Sequence, residues 1–352
     1  MKKNKKTLLI KAIASIVFFM ILASFVKGRD LLAVFSHINW FYFTLSFMMI
    51  PVMLFTSCLK WKILLDAGGY KISFFRLIAI YLVGYFFSNL LPSTVGGDIV
   101  RSFYAGKEIN NQPYSAVTVF VERFSGILFL LVLVVLAPLL KPSLYGSSYF
   151  FIPVVCALFL LSVVTWVWSV KEPLLLQKSL MSHLLRRLNG VSCRVQSGPV
   201  SKLLVAVEYF FQTLFSRLEK FSSELGKALQ IIRSNRGLLC KIVALTMIFY
   251  FLTWVNVYLA FLAFGKEVDF IAMIALVPTI MFVAHLPVTL LGNLGFFESV
   301  FVFYFLLIGV SGAETLAMGL LLRLKMLSLG GVGFMVYLFY QQTWGTAPVD
   351  QE

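Results

Sequence analysis

Apolar residues dominate the chain in long runs that short polar or basic segments separate. A helix needs about 20 consecutive apolar residues to cross a membrane. We therefore predict spans over residues 8–26, 40–59, 114–140, 149–170, 238–264 and 313–340. Three further apolar stretches are harder to assign: 74–91, 270–291 and 296–310. The pattern predicts an all-α polytopic membrane protein, a helical bundle of about seven or eight spans with two re-entrant or broken helices.

The first apolar run, residues 8–26, is long enough for a full span. A cleaved signal peptide is the alternative, but no small-x-small cleavage site follows the run, so we expect a retained membrane anchor. We assign residues 1–345 to one transmembrane domain, within which residues 171–237 form a long loop, and residues 346–352 to a short tail.

Basic residues are unevenly distributed along the chain, which has a formal net charge of +15 although only 13% of its residues are charged. Five lysines lie within the first eleven residues, and eleven lysines and arginines lie between residues 171 and 236. The three segments that we place outside the cell are 27–39, 141–148 and 265–269. Together they contain only four lysines and arginines. The positive-inside rule therefore places the N-terminus and the long loop in the cytoplasm, and the protein in the cytoplasmic (inner) membrane. No basic groove with interleaved aromatic residues is visible, which argues against a nucleic-acid partner.

The stretch 74–91 lies between two basic segments, residues 60–76 and 101–107. If both segments are cytoplasmic, the stretch enters and leaves the membrane on the same side. We therefore predict a re-entrant hairpin from the cytoplasmic side.

The long loop also contains apolar residues at helical spacing between residues 200 and 233, with basic residues between them. This pattern predicts one or two amphipathic helices that lie against the inner leaflet or the base of the bundle. A helical hairpin that packs on itself is the alternative.

The most informative segment is residues 89–101, with the sequence NLLPSTVGGDIVR. Pro92 ends the preceding helix, the glycines at 96 and 97 expose backbone amides, and Asp98 can cap a new helix. Non-helical backbone at membrane depth is tolerated only where it is buried in protein or lines a cavity. The segment therefore indicates a binding site, with an ordinary surface loop as the alternative.

A second break resembles the first. The pattern Leu-Pro-x-Thr-x-x-Gly-Asp at residues 91–98 aligns without gaps on Leu-Pro-x-Thr-x-x-Gly-Asn at residues 286–293. By span counting, the first break approaches from the cytoplasm and the second from outside. Inverted repeats with broken helices that meet near the midplane are a recurring transporter design. We expect the glycines of both breaks to admit a headgroup or to adopt positive φ, and close helix packing is the alternative.

Ionisable residues interrupt several apolar helices, where a charge that faces lipid costs about 2.5–3.5 kcal/mol. They are Glu122 and Arg123 in one span, Arg323 and Lys325 in another, and Glu298 after the second break. Glu122 and Arg123 point about 100° apart and should find different partners. One interpretation is that these charges form interhelical ion pairs. The other is that Arg123 and Arg323, together with Arg101, line an anion-binding cavity.

The motifs together resemble the lysylphosphatidylglycerol synthase transmembrane-region family, also called flippase-like domains. The resemblance rests on residues 89–101, Val121-Glu122-Arg123, residues 286–298 and Leu322-Arg323, in order across nearly the whole chain. Asn293 departs from the family pattern where a second glycine is usual, and Phe297 where a polar residue is common. The candidate substrate-binding residues are Asn89, Pro92, Thr94, Gly96, Gly97, Asp98, Arg101, Glu122, Arg123, Pro287, Gly292, Asn293, Gly295, Glu298 and Arg323.

The resemblance implies a bundle that moves or holds an amphiphile with an anionic headgroup, either a phospholipid or a polyprenyl-phosphate-linked substrate. We predict a lipid flippase. The alternatives are a membrane partner that presents lipid to a separate synthase or transferase, and a membrane transferase with Asp98 or Glu298 as base. We expect no aminoacyl transfer by this chain, because no soluble aminoacyltransferase domain is visible. We also expect no ATP hydrolysis, cofactor or metal, since no Walker motif or metal-ligand spacing occurs.

Overall fold

The computed structural model describes residues 28–90, 95–143, 148–169, 219–286 and 293–344, and these residues form helices joined by short turns, with no strand among them. The helices are α1 (Gly28–Ser36), α2 (Trp40–Ala67), α3 (Phe74–Leu90), α4 (Val95–Glu108), α5 (Gln112–Leu136), α6 (Ser148–Ser169), α7 (219–234), α8 (Arg236–Leu262), α9 (Phe270–Ala284), α10 (Phe296–Leu306) and α11 (Gly312–Trp344), with a 3-10 turn at Ala137–Leu140. Five of them, α2, α5, α6, α8 and α11, are long and apolar enough to cross a membrane. The predicted all-α multi-pass membrane protein is confirmed; the span predicted at 8–26 lies outside the described residues.

Short polar side chains start several of these helices. The side-chain oxygens of Asn39, Asn111, Asn235 and Asp269 accept hydrogen bonds from amides in the first turns of α2, α5, α8 and α9. This capping satisfies donors that a helix start leaves unpaired. Asp269 also accepts a hydrogen bond of 3.0 Å from Lys141 Nζ, which lowers the pKa of this exposed carboxyl and ties the 3-10 turn to the start of α9.

The three stretches that were hard to assign form short helices: α3 has 17 residues, α9 has 15 and α10 has 11. Each break joins two such helices, α3 to α4 and α9 to α10, so the two broken helices of the predicted bundle are present. We call the two pairs the first hairpin and the second hairpin. The side of the membrane from which each one enters stays a prediction.

Two large apolar clusters form the core, one around each hairpin. The first contains buried side chains of α2, α3 and α5 and includes Trp61, Leu77 and Val117. The second contains buried side chains of α8 to α11 and includes Phe261 and Phe301. Each hairpin is thus held in well-packed protein, which is where broken backbone at membrane depth can persist.

Helix α11 packs closely along α3 because glycines face that helix. A Cβ at Gly333 would lie 2.1 Å from the carbonyl oxygen of Leu82, and one at Gly330 would lie 2.3 Å from Nδ2 of Asn89. The same Asn89 amide donates to the carbonyl oxygen of Met326 at 2.9 Å. Small residues and interhelical hydrogen bonds from amide side chains hold membrane helices together in this way. Asn89 therefore joins α3 to α11.

The described part of the long loop, α7, packs on the bundle. Its apolar residues Phe221, Leu225, Ile231 and Ile232 lie against the first cluster, while Lys220 and Arg233 lie on its outer side. Residues 219–234 therefore form a helix that packs on the bundle, and the position of this helix at the cytoplasmic base stays a prediction. The rest of the predicted amphipathic segment lies outside the described residues.

Candidate functional site

Helix α4 begins at Val95, four residues earlier than Ile99, where a helix capped by Asp98 would begin. The expected capping role of Asp98 is therefore wrong, and the carboxylate lies inside the first turn instead. Gly96 and Gly97 are both buried there. Gly97 does not have positive φ, and a Cβ on it would lie 2.1 Å from the carbonyl oxygen of Gly84 in α3. This glycine allows the two helices of the first hairpin to touch.

Asp98 lies between two arginines. Its Oδ1 accepts hydrogen bonds from Nε of Arg101 at 3.0 Å and from Nε and Nη2 of Arg123 at 3.1 and 3.0 Å. Arg101 is one turn further along α4, whereas Arg123 comes from α5. One carboxylate oxygen thus connects the first hairpin to a spanning helix.

Glu122 is the second carboxylate of this group, which we call the Asp98 network (Asp98, Arg101, Glu122 and Arg123). Its Oε2 lies 2.6 Å from Nη2 of Arg101, an ion pair whose angles fall outside hydrogen-bond geometry. Its Oε1 accepts a hydrogen bond of 3.2 Å from the hydroxyl of Tyr81. The prediction that the neighbours Glu122 and Arg123 have different partners is confirmed.

Aromatic rings enclose the guanidinium of Arg101, whose side chain is only 1% exposed. The guanidinium carbon lies 4.5 Å from the ring centre of Tyr81 and 5.2 Å from that of Trp61. Rings at this distance attract a cation. Its Nη1 makes no hydrogen bond with any residue that the structure describes. Sequence reasoning missed Trp61 and Tyr81, because nothing in their local sequence marks them among many apolar neighbours.

The described end of the second break, residues 293–295, has a different backbone from Gly97. Asn293 and Gly295 have positive φ, of 61° and 82°. The Asn293 side-chain amide donates to the carbonyl oxygens of Ala284 and Leu286, at 2.9 and 2.7 Å, and so ties the end of α9 to the start of α10. Asparagine tolerates positive φ better than most residues, which explains how it can stand where the family pattern has glycine.

Glu298 connects this backbone to α11. Its Oε2 accepts a hydrogen bond of 2.8 Å from the amide of Gly295, and its Oε1 one of 2.8 Å from Nε of Arg323. Both side chains are buried, and the Arg323 guanidinium lies 5.4 Å from the ring centre of Phe297. We call Gly295, Glu298 and Arg323 the Glu298 network.

The charged candidate residues therefore fall into two ion-pair networks. Arg323 pairs with Glu298, whereas Arg101 and Arg123 pair with Asp98. The expectation of three arginines around an open cavity is not met in this conformation, because Arg101 and Arg323 are buried and paired. The interhelical ion pairs of the alternative interpretation are present. Four candidate residues lie outside the described ranges: Pro92, Thr94, Pro287 and Gly292.

The arrangement suits reversible binding of an anion better than acid–base chemistry. In both networks a carboxylate occupies the arginine face that could bind a phosphate, and planar guanidinium groups bind either oxyanion. Arg123 is 48% exposed and Asp98 is 18% exposed, so this pair lies at the surface of the bundle. Among the residues described, no cluster of potential metal ligands occurs.

Comparison with known proteins gives one family and one relative. The sequence model of the family described as "Lysylphosphatidylglycerol synthase TM region" matches residues 8–331. A "UPF0104 membrane protein" from Methanothermobacter thermautotrophicus is 23% identical over 113 residues. That alignment covers 32% of this chain and 32% of the relative's length. No solved structure matches the chain.

Proposed function

The chain belongs to the lysylphosphatidylglycerol synthase transmembrane-region family, and from this premise and the two ion-pair networks we propose that it binds and translocates a lipid with an anionic headgroup. The substrate class is a phospholipid or a lipid-linked intermediate that carries a phosphate. A lipid-related role in the membrane follows from the family; the translocation is our proposal.

The observation that carries the proposal is the ion pair between Asp98 and the half-exposed Arg123. Arg123 directs Nε and Nη2 at one oxygen of Asp98 and leaves nearly half of its side chain accessible at the bundle surface. A headgroup phosphate presents oxygens that match this fork and can replace the carboxylate. We propose that the headgroup docks on Arg123 and that Asp98 takes the arginine back when the headgroup leaves.

Exchange of this kind lowers the cost of releasing the headgroup. Without an anion, the Arg123 guanidinium would leave an unpaired charge in a spanning helix, which destabilises the protein. A guanidinium that returns to Asp98 stays paired. Arg101 remains fixed throughout, because Glu122 and the rings of Tyr81 and Trp61 hold it on three sides. The Asp98 network can therefore exist with and without the ligand.

The test is movement of lipid by the purified protein in liposomes. The lipid is phosphatidylglycerol with a fluorophore on its acyl chain, and an impermeant quencher is added outside. We expect the quencher to reach inner-leaflet lipid only in liposomes that contain the protein. A protein that only presents lipid to a separate enzyme would bind phosphatidylglycerol without moving it, and this outcome would contradict the proposal.

A further inference from the structure

Two buried lysines lie at the seam where α2 packs against α8, outside both ion-pair networks. Lys60 of α2 is 7% exposed, and its Nζ lies 3.5 Å from Oγ1 of Thr246 in α8. Lys325 of α11 is 4% exposed, and its Nζ donates to Oδ1 of Asn256 in α8 at 2.7 Å and to Oγ of Ser46 in α2. Lys60 thus bonds to a neutral group on α8, and Lys325 bonds to neutral groups on both helices of the seam.

Neither amine has a carboxylate partner among the residues that the structure describes. Glu122 is within electrostatic range of Lys60, but its Oε2 is already paired with Arg101. In the Asp98 network two arginines balance two carboxylates, so Lys60 adds one positive charge beside it. When protonated, Lys325 adds another on α11, two residues after Arg323, whose own charge Glu298 of α10 balances.

An unbalanced buried charge is expensive, and it is usually kept only for function. If these lysines served only to join helices by hydrogen bonds, a neutral amide could do the same at lower cost. The groups that surround the amines are hydroxyls and an amide, which can also donate hydrogen bonds to an anion. The seam is therefore suited to an anion that supplies the missing negative charge.

The two amines lie at different depths along the seam. Ser46 and Lys60 are separated by about 21 Å along α2, and Thr246 and Asn256 by about 15 Å along α8, at 1.5 Å per residue. This separation covers a large part of the hydrocarbon thickness of about 30 Å. The Lys60 end of the seam is close to the Asp98 network, since Trp61, the neighbour of Lys60, contacts the guanidinium of Arg101.

We infer that Lys60 and Lys325 are two successive anion-binding positions, and that the seam between α2 and α8 is the route of the anionic headgroup across the membrane. This inference rests on the proposed lipid movement and adds selectivity to it. Each lysine neutralises the headgroup at its own depth while its lipid tails remain in the bilayer. A net anionic headgroup is then favoured over a zwitterionic one.

The test compares Lys60→Met and Lys325→Met with wild-type protein in the liposome assay, using acyl-labelled phosphatidylglycerol and phosphatidylcholine. Lys62→Met is the matched control, since Lys62 is also on α2 but is 29% exposed and paired with Asp66 at 3.0 Å. We expect both seam variants to move phosphatidylglycerol about tenfold more slowly, the size of effect that loss of one charged hydrogen bond gives. Phosphatidylcholine movement and the control should change little. An unchanged phosphatidylglycerol rate, or an equal loss for both lipids, would overturn the inference.

Ser46→Asp is a second variant, which keeps the Lys325 amine and places a carboxylate beside it. Because this internal anion competes with the headgroup, phosphatidylglycerol movement should fall even if Lys325→Met does not fold. Normal movement in Ser46→Asp would again overturn the inference. If wild-type protein moves neither lipid, the proposed function itself fails; if it moves phosphatidylglycerol and the seam variants do too, only the route is wrong.

Discussion

Replacement of Gly97 by alanine tests how the first hairpin is built. The new Cβ would lie 2.1 Å from the carbonyl oxygen of Gly84 and 2.0 Å from Oγ of Ser88, and the carbonyl belongs to rigid helix backbone. Helices α3 and α4 would have to separate by about 1 Å to restore an ordinary contact. Overpacking of this kind costs about 1–3 kcal/mol. We therefore expect Gly97→Ala to unfold at a lower temperature than wild type.

Gly126→Ala is the control for this variant. Gly126 lies in α5, and a Cβ there would meet nothing within 4 Å. Alanine is about 1 kcal/mol better than glycine inside a helix, so this variant should be as stable as wild type or more so. Thermal unfolding in detergent measures both, and lipid movement in liposomes is measured on the same preparations.

The stability and the activity of Gly97→Ala should fall together, and Gly97→Val should be worse in both. This differs from the sequence-based expectation of lost activity through direct contact with a headgroup, because the structure places Gly84 where the new methyl group would go. Unchanged unfolding temperature in Gly97→Ala, with lipid movement abolished, would refute the packing argument and return the glycine to the binding site.

Two further predictions concern the second break and the topology. In Asn293→Ala the free energy of unfolding should fall by about 2 kcal/mol or more, because this variant loses two buried hydrogen bonds and has alanine at φ 61°. In Asn293→Gly the free energy should fall less, since glycine adopts positive φ without strain. Equal losses in the same unfolding assay would contradict the role given to φ. In protein without native cysteines, Lys71→Cys and Lys107→Cys should both resist an impermeant thiol reagent applied from outside; if one reacts and the other does not, 74–91 is a full span and the inverted-repeat hypothesis is wrong.

Helix positions could be predicted from the sequence because apolar runs determine them. The span predicted at 40–59 is longer in the structure, since α2 continues to Ala67. The polar residues after 59 suggested an end, but Lys60 is buried against Thr246 and Lys62 pairs with Asp66 one turn later. A hydropathy profile shows neither which distant helix contacts a polar residue nor which side chains pair within a helix. It therefore placed the end of this span too early.

The charged residues of the site were predictable, whereas their grouping was not. A charge inside an apolar helix is visible at once, which identified Glu122, Arg123 and Arg323. Their partners depend on which helices are neighbours, and the sequence did not show that Arg323 pairs with Glu298 rather than with the Asp98 network. Trp61 and Tyr81 could not be singled out, because the chain contains 36 Phe, 14 Tyr and 6 Trp residues.

The most direct test of the proposed function is the rate of phosphatidylglycerol movement by Arg123→Lys in liposomes. Lysine keeps the charge beside Asp98 but loses the fork that can bind a phosphate through two nitrogens. Arg76→Lys is the control, since Arg76 is 51% exposed and is not part of the Asp98 network. Its Nε lies 2.9 Å from Oε1 of Glu108. We predict wild-type unfolding temperatures for both variants, wild-type movement for Arg76→Lys and at least about tenfold slower movement for Arg123→Lys. Normal lipid movement by folded Arg123→Lys would contradict the account.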